Sequence, residues 1–377
     1  MAQHRAPVEV LPPGEFLKDE LEARGWTQTD LAEVLGRPTR LVNEIVLGKR
    51  AISPETAHGL ANALGTSPEF WMNLESAYQL SRLRPEDLDV QRRAKIYSAV
   101  PIKELLRRGW VEAAENPAVL EQRVLAFMGM ASLDAQPEFR AAARTSLAAY
   151  TIDQCAWLAR ARQIAGLVQV TGEFTRERLA NALTQLKSLL KSAEEIRRVP
   201  EILSAAGIRI IIVEPLPKTE IDGVCLWIGP KDPVVVLSLR ADRLDGFWVT
   251  LMHELAHVHA GDGKVGGVHL DINLIGEAAQ KAEEKSEIEK AADAFVARFL
   301  LPSDEVNNFV ARVRPLYSKE RILGFANRLG VHPGLVVGRL QFMKEINYSH
   351  SREMLPKVRD QLSRIALTDG WGNAVPV

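Results

Sequence analysis

Gln28-Thr29-Asp30-Leu31-Ala32-Glu33-Val34-Leu35-Gly36-Arg37-Pro38-Thr39-Arg40-Leu41-Val42-Asn43-Glu44-Ile45-Val46-Leu47-Gly48 is the stretch whose spacing decides the fold at the start of this chain. Two short helices are expected, joined by a tight turn. Ala32 is small where the helices cross, Gly36 takes the turn, and Leu31, Leu35, Val42 and Ile45 close the core beneath. The second helix, from about Pro38 to Leu47, then presents its N-terminal end outward. Thr39, Arg40 and Asn43 project from a face shaped for a DNA major groove, where Arg and Asn suit bidentate contact with guanine and adenine edges. Gln28, Lys49 and Arg50 are placed to meet phosphates. A helical hairpin with merely solvated charges is the competing interpretation, and the detailed spacing argues against it.

Turn signals continue outward from this stretch: Arg24-Gly25-Trp26 before it, Gly48-Lys49-Arg50 and Gly65-Thr66-Ser67-Pro68 after it. From Gly14 to about Leu80 they mark a compact all-helical unit. The formal net charge of −1 over 377 residues gives no global pull toward nucleic acid. DNA binding would therefore rest on a local basic surface of Arg37, Arg40, Lys49 and Arg50. Apolar residues make up 46% and charged residues 25%, the profile of folded domains and not of a disordered chain. No apolar run approaches a membrane span, and Met1 to Val10 lack the apolar core of a secretory signal. A cytoplasmic protein without membrane partners is expected. The two cysteines, Cys155 and Cys225, stand far apart and are read as small buried hydrophobes.

The fold class expected is mainly α with a small β-sheet, α+β in its second part. Residues 10–80 form the DNA-binding unit, 81–205 a helical connecting region, 206–345 the α+β domain and 346–377 a tail that looks weakly structured after Ser349. Residues 81–205 carry apolar positions at three- and four-residue spacing, as around Arg176 to Leu183. Character changes at Gly207. Ile208 to Val213, Gly223 to Ile228 and Val234 to Leu239 are short β-branched runs separated by turns, and predict a small sheet. Helices resume at Leu244, and Pro302 stops one running from about Lys285 to Leu301.

Within the apolar helical run after Leu244 stands His253-Glu254-Leu255-Ala256-His257. Histidines four apart on a helix share a face and offer a bite for one zinc ion. Glu254 would face water at the metal and take its proton as general base. A catalytic zinc needs a third protein ligand and an open position. Glu289 is the best candidate ligand, with Asp293 one turn on to accept a hydrogen bond from a ligating histidine; Glu283 and Glu287 compete on the same stretch. His259 points to another side of the helix, and His269 and His332 are read as structural. An edge strand from Val224 to Ile228 would hold an extended substrate backbone by strand addition. No residue announces itself as an oxyanion donor.

Pro13 to Leu17, the Gln28–Gly48 core, Gly48 to Ser53 and Leu64 to Leu74 together resemble the HigA branch of the Cro/C1-type (XRE) repressors. That resemblance implies an antitoxin-like repressor, a homodimer on a palindromic operator, and a cognate toxin as partner. Phe247 to His257, then Glu289 to Phe295 and Phe299 to Pro302, resemble the ImmA/IrrE metallopeptidases, which are similar to the gluzincins. This implies a zincin-like fold, Zn2+ held by His253, His257 and Glu289, Glu254 as base, and a repressor protein as substrate.

Two readings follow. In the first, the DNA-binding unit represses a promoter while the zinc domain clips a regulatory protein, such as a partner repressor or this chain itself near Pro85 to Val100. In the second, the peptidase-like domain is a non-proteolytic sensor or partner-binding module.

Overall fold

The computed structural model describes residues 10–82, 88–137, 150–264, 268–272, 274 and 286–376. The expectations placed on Met1 to Glu9, on the first residues of the Pro85–Val100 segment, and on Glu283 and Lys285 lie outside the described residues. The chain divides into two compact units, Met1–Leu88 and Asp89–Val377.

Helices Pro13–Arg24, Gln28–Leu35, Thr39–Val46, Pro54–Leu64 and Pro68–Arg82 build the first unit. Local chemistry sets their ends. Thr27 and Asp30 form a capping box at the second helix, and Gly36 ends it in the left-handed conformation that a Cβ disfavours. Leu31, Ala32, Val42 and Ile45 are buried, with Leu17, Leu60 and Trp71 beneath them. Gly14 is required where it stands, because a Cβ there would collide with the carbonyls of Ile45 and Val46. The first helix is thereby pressed against the end of the third.

The second unit is built on a five-stranded mixed sheet ordered β4-β2-β3-β1-β5. Its strands are β1 Arg209–Val213, β2 Ile221–Trp227, β3 Pro233–Leu237, β4 His269–Ile272 and β5 Leu367–Asp369. β1 runs parallel to β3 and β5, whereas β2 is antiparallel to both β3 and β4. Side chains alternate between two cores, as strand pleating demands. Ile210, Ile212, Cys225, Val235 and Leu237 pack with Phe247, Trp248 and Leu251 of the long helix Leu244–Ala260. Ile211, Val213, Val224, Leu226 and Val236 pack with Trp157, Leu158 and Ile164 of the helix Ile152–Ala165. Helices thus cover both faces, which is why the strands read as continuous β-branched runs. Among the described residues no helix is long and apolar enough to cross a membrane.

Two expectations are corrected. β2 is not an edge strand: β4 covers it, pairing Val224 with Leu270 and Cys225 with His269. Nor is the tail weakly structured. It contributes β5, and Asp369 is buried in an ion pair with Arg160, whose Nε lies 2.7 Å from Asp369 Oδ2. Trp110 Nε1 donates to the other carboxylate oxygen at 3.2 Å, and Arg160 also donates to the Val375 carbonyl. A buried carboxylate persists only when its oxygens are satisfied in this way, which ties the tail to the layer beneath it.

Candidate metal centre and nucleic-acid interface

The helix Leu244–Ala260 is buried along most of its length against the sheet, so the imidazoles of His253 and His257 lie inside the protein, each 1% exposed. Helical spacing sets their rings 4.9 Å apart. A second helix, Glu287–Leu300, is capped by Ser286, whose hydroxyl accepts from the Glu289 amide at 3.2 Å. This cap fixes the first turn and directs Glu289 at the histidines. Glu289 Oε2 lies 3.0 Å from His253 Nε2, and Oε1 lies 3.8 Å from His257 Nε2. The three residues named from the sequence as ligands are thus brought together.

A fourth residue, the second carboxylate, joins them. Asp271 on β4 is 4% exposed, with Oδ1 3.4 Å from His253 Nε2 and Oδ2 3.7 Å from His257 Nε2. One donor atom from each of His253, His257, Asp271 and Glu289 lies within 4.8 Å of all the others. Ligands 2.0–2.1 Å from a tetrahedral zinc stand about 3.3 Å from one another, so binding that ion would draw these donors somewhat closer together. Its donor set, two imidazoles and two carboxylates, is one that zinc accepts.

The other ring nitrogens are held from outside. His257 Nδ1 lies 3.0 Å from Asp262 Oδ2, and His253 Nδ1 lies 3.5 Å from Asp293 Oδ1. With Nδ1 of each ring turned to these carboxylates, Nε2 is the nitrogen on the cluster side. Asp262 is placed by the end of the helix itself: Gly261 takes the left-handed cap and the Asp262 amide donates to the His257 carbonyl at 3.0 Å. The Trp227 indole holds the Asp262 carbonyl at 2.8 Å.

Glu254 is fully buried, and both its carboxylate oxygens lack a donor among the described residues. Burial pushes its pKa well above the usual carboxylate range, and the neighbouring Asp271 charge adds to this. For His253, burial opposes protonation, but Asp271, Asp293 and Glu289 outweigh it and push the pKa up to about 12. Burial would likewise raise Asp271, but His253 and His257 outweigh it and bring it down to about 2. The cluster is therefore built to hold positive charge. Beside it lies a cavity of about 280 Å³ with apolar walls, including Val249, Leu335 and Phe342, with Asp293 and Arg339 on its lining.

The remaining expected residues lie elsewhere. Glu287 is exposed and pairs with Lys290 at 2.8 Å, away from the cluster. His259 is exposed and stacks on Phe295, with ring centroids 6.0 Å apart. His332 caps the helix Pro333–Phe342, its Nδ1 accepting from the Gly334 amide at 3.0 Å. His269 is described as a residue of β4. Asp271 and Asp262 were not found by sequence reasoning. The alternation of Leu270 and Ile272 around Asp271, and the Gly261-Asp262-Gly263 turn directly after the motif helix, were the signals on offer.

In the first unit Thr39, Arg40, Asn43, Lys49 and Arg50 are exposed, as a groove-reading face requires, and Gln28 is half-buried beside them. The Asn43 amide donates to Gln28 Oε1 at 3.1 Å. Glu44 holds two of the candidate cations, Arg40 Nε at 2.8 Å and Arg50 at 3.3 Å. Both arginines are exposed, so water screens the two pairs.

Residues 17–71 match the helix-turn-helix family model, and residues 203–341 match the peptidase M78 model described as the IrrE N-terminal-like domain. Virulence-associated protein A of Dichelobacter nodosus is 43% identical over 79 residues, covering 20% of this chain and 78% of that protein. Antitoxin HigA-1 of Vibrio cholerae is 43% identical over 77 residues, covering 20% of this chain and 70% of that protein. Among solved structures, Pseudomonas aeruginosa antitoxin HigA with the higBA promoter is 39% identical, covering 19% of this chain and 80% of that one, with a TM-score of 0.19.

Proposed function

We propose, for a chain that belongs to the HigA-type helix-turn-helix proteins and carries an IrrE N-terminal-like peptidase domain, that it is an operator-binding regulator whose second unit is a zinc-dependent endopeptidase acting on a regulatory protein. The observation that carries this reading is the convergence of His253, His257 and Glu289 on one point, with Glu254 buried beside them.

In this reading His253, His257 and Glu289 hold zinc, and Asp262 and Asp293 fix the two imidazoles in the ligating tautomer. Zinc held there would supply Lewis-acid polarisation of a peptide carbonyl and would lower the pKa of a bound water toward neutrality. Glu254 takes the proton of the attacking water and passes it to the leaving amine. The neighbouring apolar cavity accepts a side chain of the substrate. In the first unit Thr39, Arg40 and Asn43 read base edges while Gln28, Lys49 and Arg50 meet phosphates. A homodimer on a palindromic operator, a cytoplasmic location and a cognate toxin or repressor as partner complete the reading.

The sensor alternative is favoured by one observation, the fourth donor Asp271, since a site closed by four protein ligands is the pattern of structural zinc. Terminal-peptide mass spectrometry on cells producing wild type or Glu254→Gln separates the two. New protein N-termini that depend on Glu254, with unchanged operator binding, support proteolysis; identical peptide sets support the sensor.

A further inference from the structure

We infer that Asp271, carried by the edge strand β4, is a fourth ligand that closes the metal centre. The inference rests on the metal-centre reading above and goes beyond it by naming what stands in the catalytic position.

Three independent features place Asp271 there. Its two oxygens approach both ligating nitrogens, 3.4 Å from His253 Nε2 and 3.7 Å from His257 Nε2. The β2–β4 register shifts between Ile221 and Gly223, and this irregularity sets Asp271 opposite Gly223, on the face that looks toward Glu254. The strand is also tied at both ends by side chains. The Tyr150 hydroxyl donates to the Val268 carbonyl, and the Leu274 amide donates to Asp222 Oδ2 at 2.6 Å. Asp222 is itself held by the Arg240 guanidinium at 3.1 Å.

Charge completes the argument. Two neutral imidazoles with the Asp271 and Glu289 carboxylates neutralise a dication, which suits a buried centre. Removing Asp271 leaves a net positive centre with one position open, the arrangement that peptide hydrolysis requires. β4 is itself the edge of the sheet on this side, so the strand that carries Asp271 is the one an extended substrate would meet. The described conformation is therefore a latent one, and Asp271 and a peptide carbonyl compete for a single place.

Cobalt(II) in the full-length protein reports this through its visible absorption, with acetohydroxamate as the probe of an open position. Wild type is expected to bind one cobalt with a spectrum that millimolar acetohydroxamate leaves unchanged. Asp271→Ala should keep the metal, show a different spectrum and bind acetohydroxamate at least tenfold more tightly. Tyr150→Phe retains all four donors but loses one tie of β4, and should shift acetohydroxamate binding in the same direction. Equal acetohydroxamate affinity in wild type and both variants overturns this inference alone. Wild type that takes up no cobalt overturns the metal centre along with it.

Discussion

Gly223 of β2 lies directly against Glu254 of the motif helix: a methyl group at Gly223 would stand closer to Glu254 Oε1 than carbon and oxygen can approach, and 2.7 Å from Thr250 Cγ2. The strand can pass over Glu254 only because this residue has no side chain.

Gly223→Ala should therefore destabilise the second unit by about 1–3 kcal/mol through overpacking, read from denaturant unfolding. The double variant Gly223→Ala/Glu254→Ala should recover part of that loss, since the colliding carboxylate is gone. A strictly additive double variant would locate the strain elsewhere.

The carboxylates behind the histidines should tune the metal. Asp262→Asn and Asp293→Asn are each expected to weaken zinc binding by about 10–100-fold in a chelator competition. The effect should be larger at Asp262, which lies 3.0 Å from His257, than at Asp293, which lies 3.5 Å from His253. Affinities equal to wild type in both variants would deny these residues an orienting role.

His332 gives the second unit a pH-dependent cap. Burial holds its pKa below the usual value, the nearby Glu194 charge opposing this only in part. The neutral ring is the form that accepts the Gly334 amide. A depressed pKa contributes stability that is fully present above the unfolded value of about 6.5 and lost as pH falls through the folded value. His332→Asn, which caps without titrating, should unfold at the same denaturant concentration as wild type at pH 7.5 and outlast it at pH 5. The difference should be about 1 kcal/mol or less, since the ring is only half-buried. Parallel acid profiles would contradict this.

On the DNA side, Arg40→Ala should weaken operator binding about tenfold or more and relax discrimination at one base position. Glu44→Gln releases both Arg40 and Arg50 and removes a negative charge from the DNA-facing side. Tighter binding to operator and random DNA alike is the expected result in a fluorescence titration at low salt.

What the sequence made legible follows from the range of the interactions involved. The helix pair around Gly36 and the ligand pair His253 and His257 depend on residues within one or two turns of each other, so spacing alone reveals them. Glu289 was reachable because it stands on the helix read from about Lys285 to Leu301, one turn ahead of Asp293 on the same face, although Glu283 and Glu287 competed with it. Asp271 was not reachable: it sits on a four-residue strand, and its place depends on a register shift against β2 nearly fifty positions earlier. Likewise Asp369 enters the fold through Arg160, 209 positions away, and nothing in the short Leu367–Asp369 run marks it as a strand. The sheet's second face was also hidden, because strands buried on both sides show no alternation of apolar and polar residues.

The most direct test of the account is the zinc content, by elemental analysis, of full-length wild type prepared without chelators, beside His257→Ala and Glu289→Ala. About one zinc per chain in wild type, lost in both variants, is the predicted result. Wild type without zinc, or variants that retain it in full, would contradict the metal centre on which the peptidase reading stands.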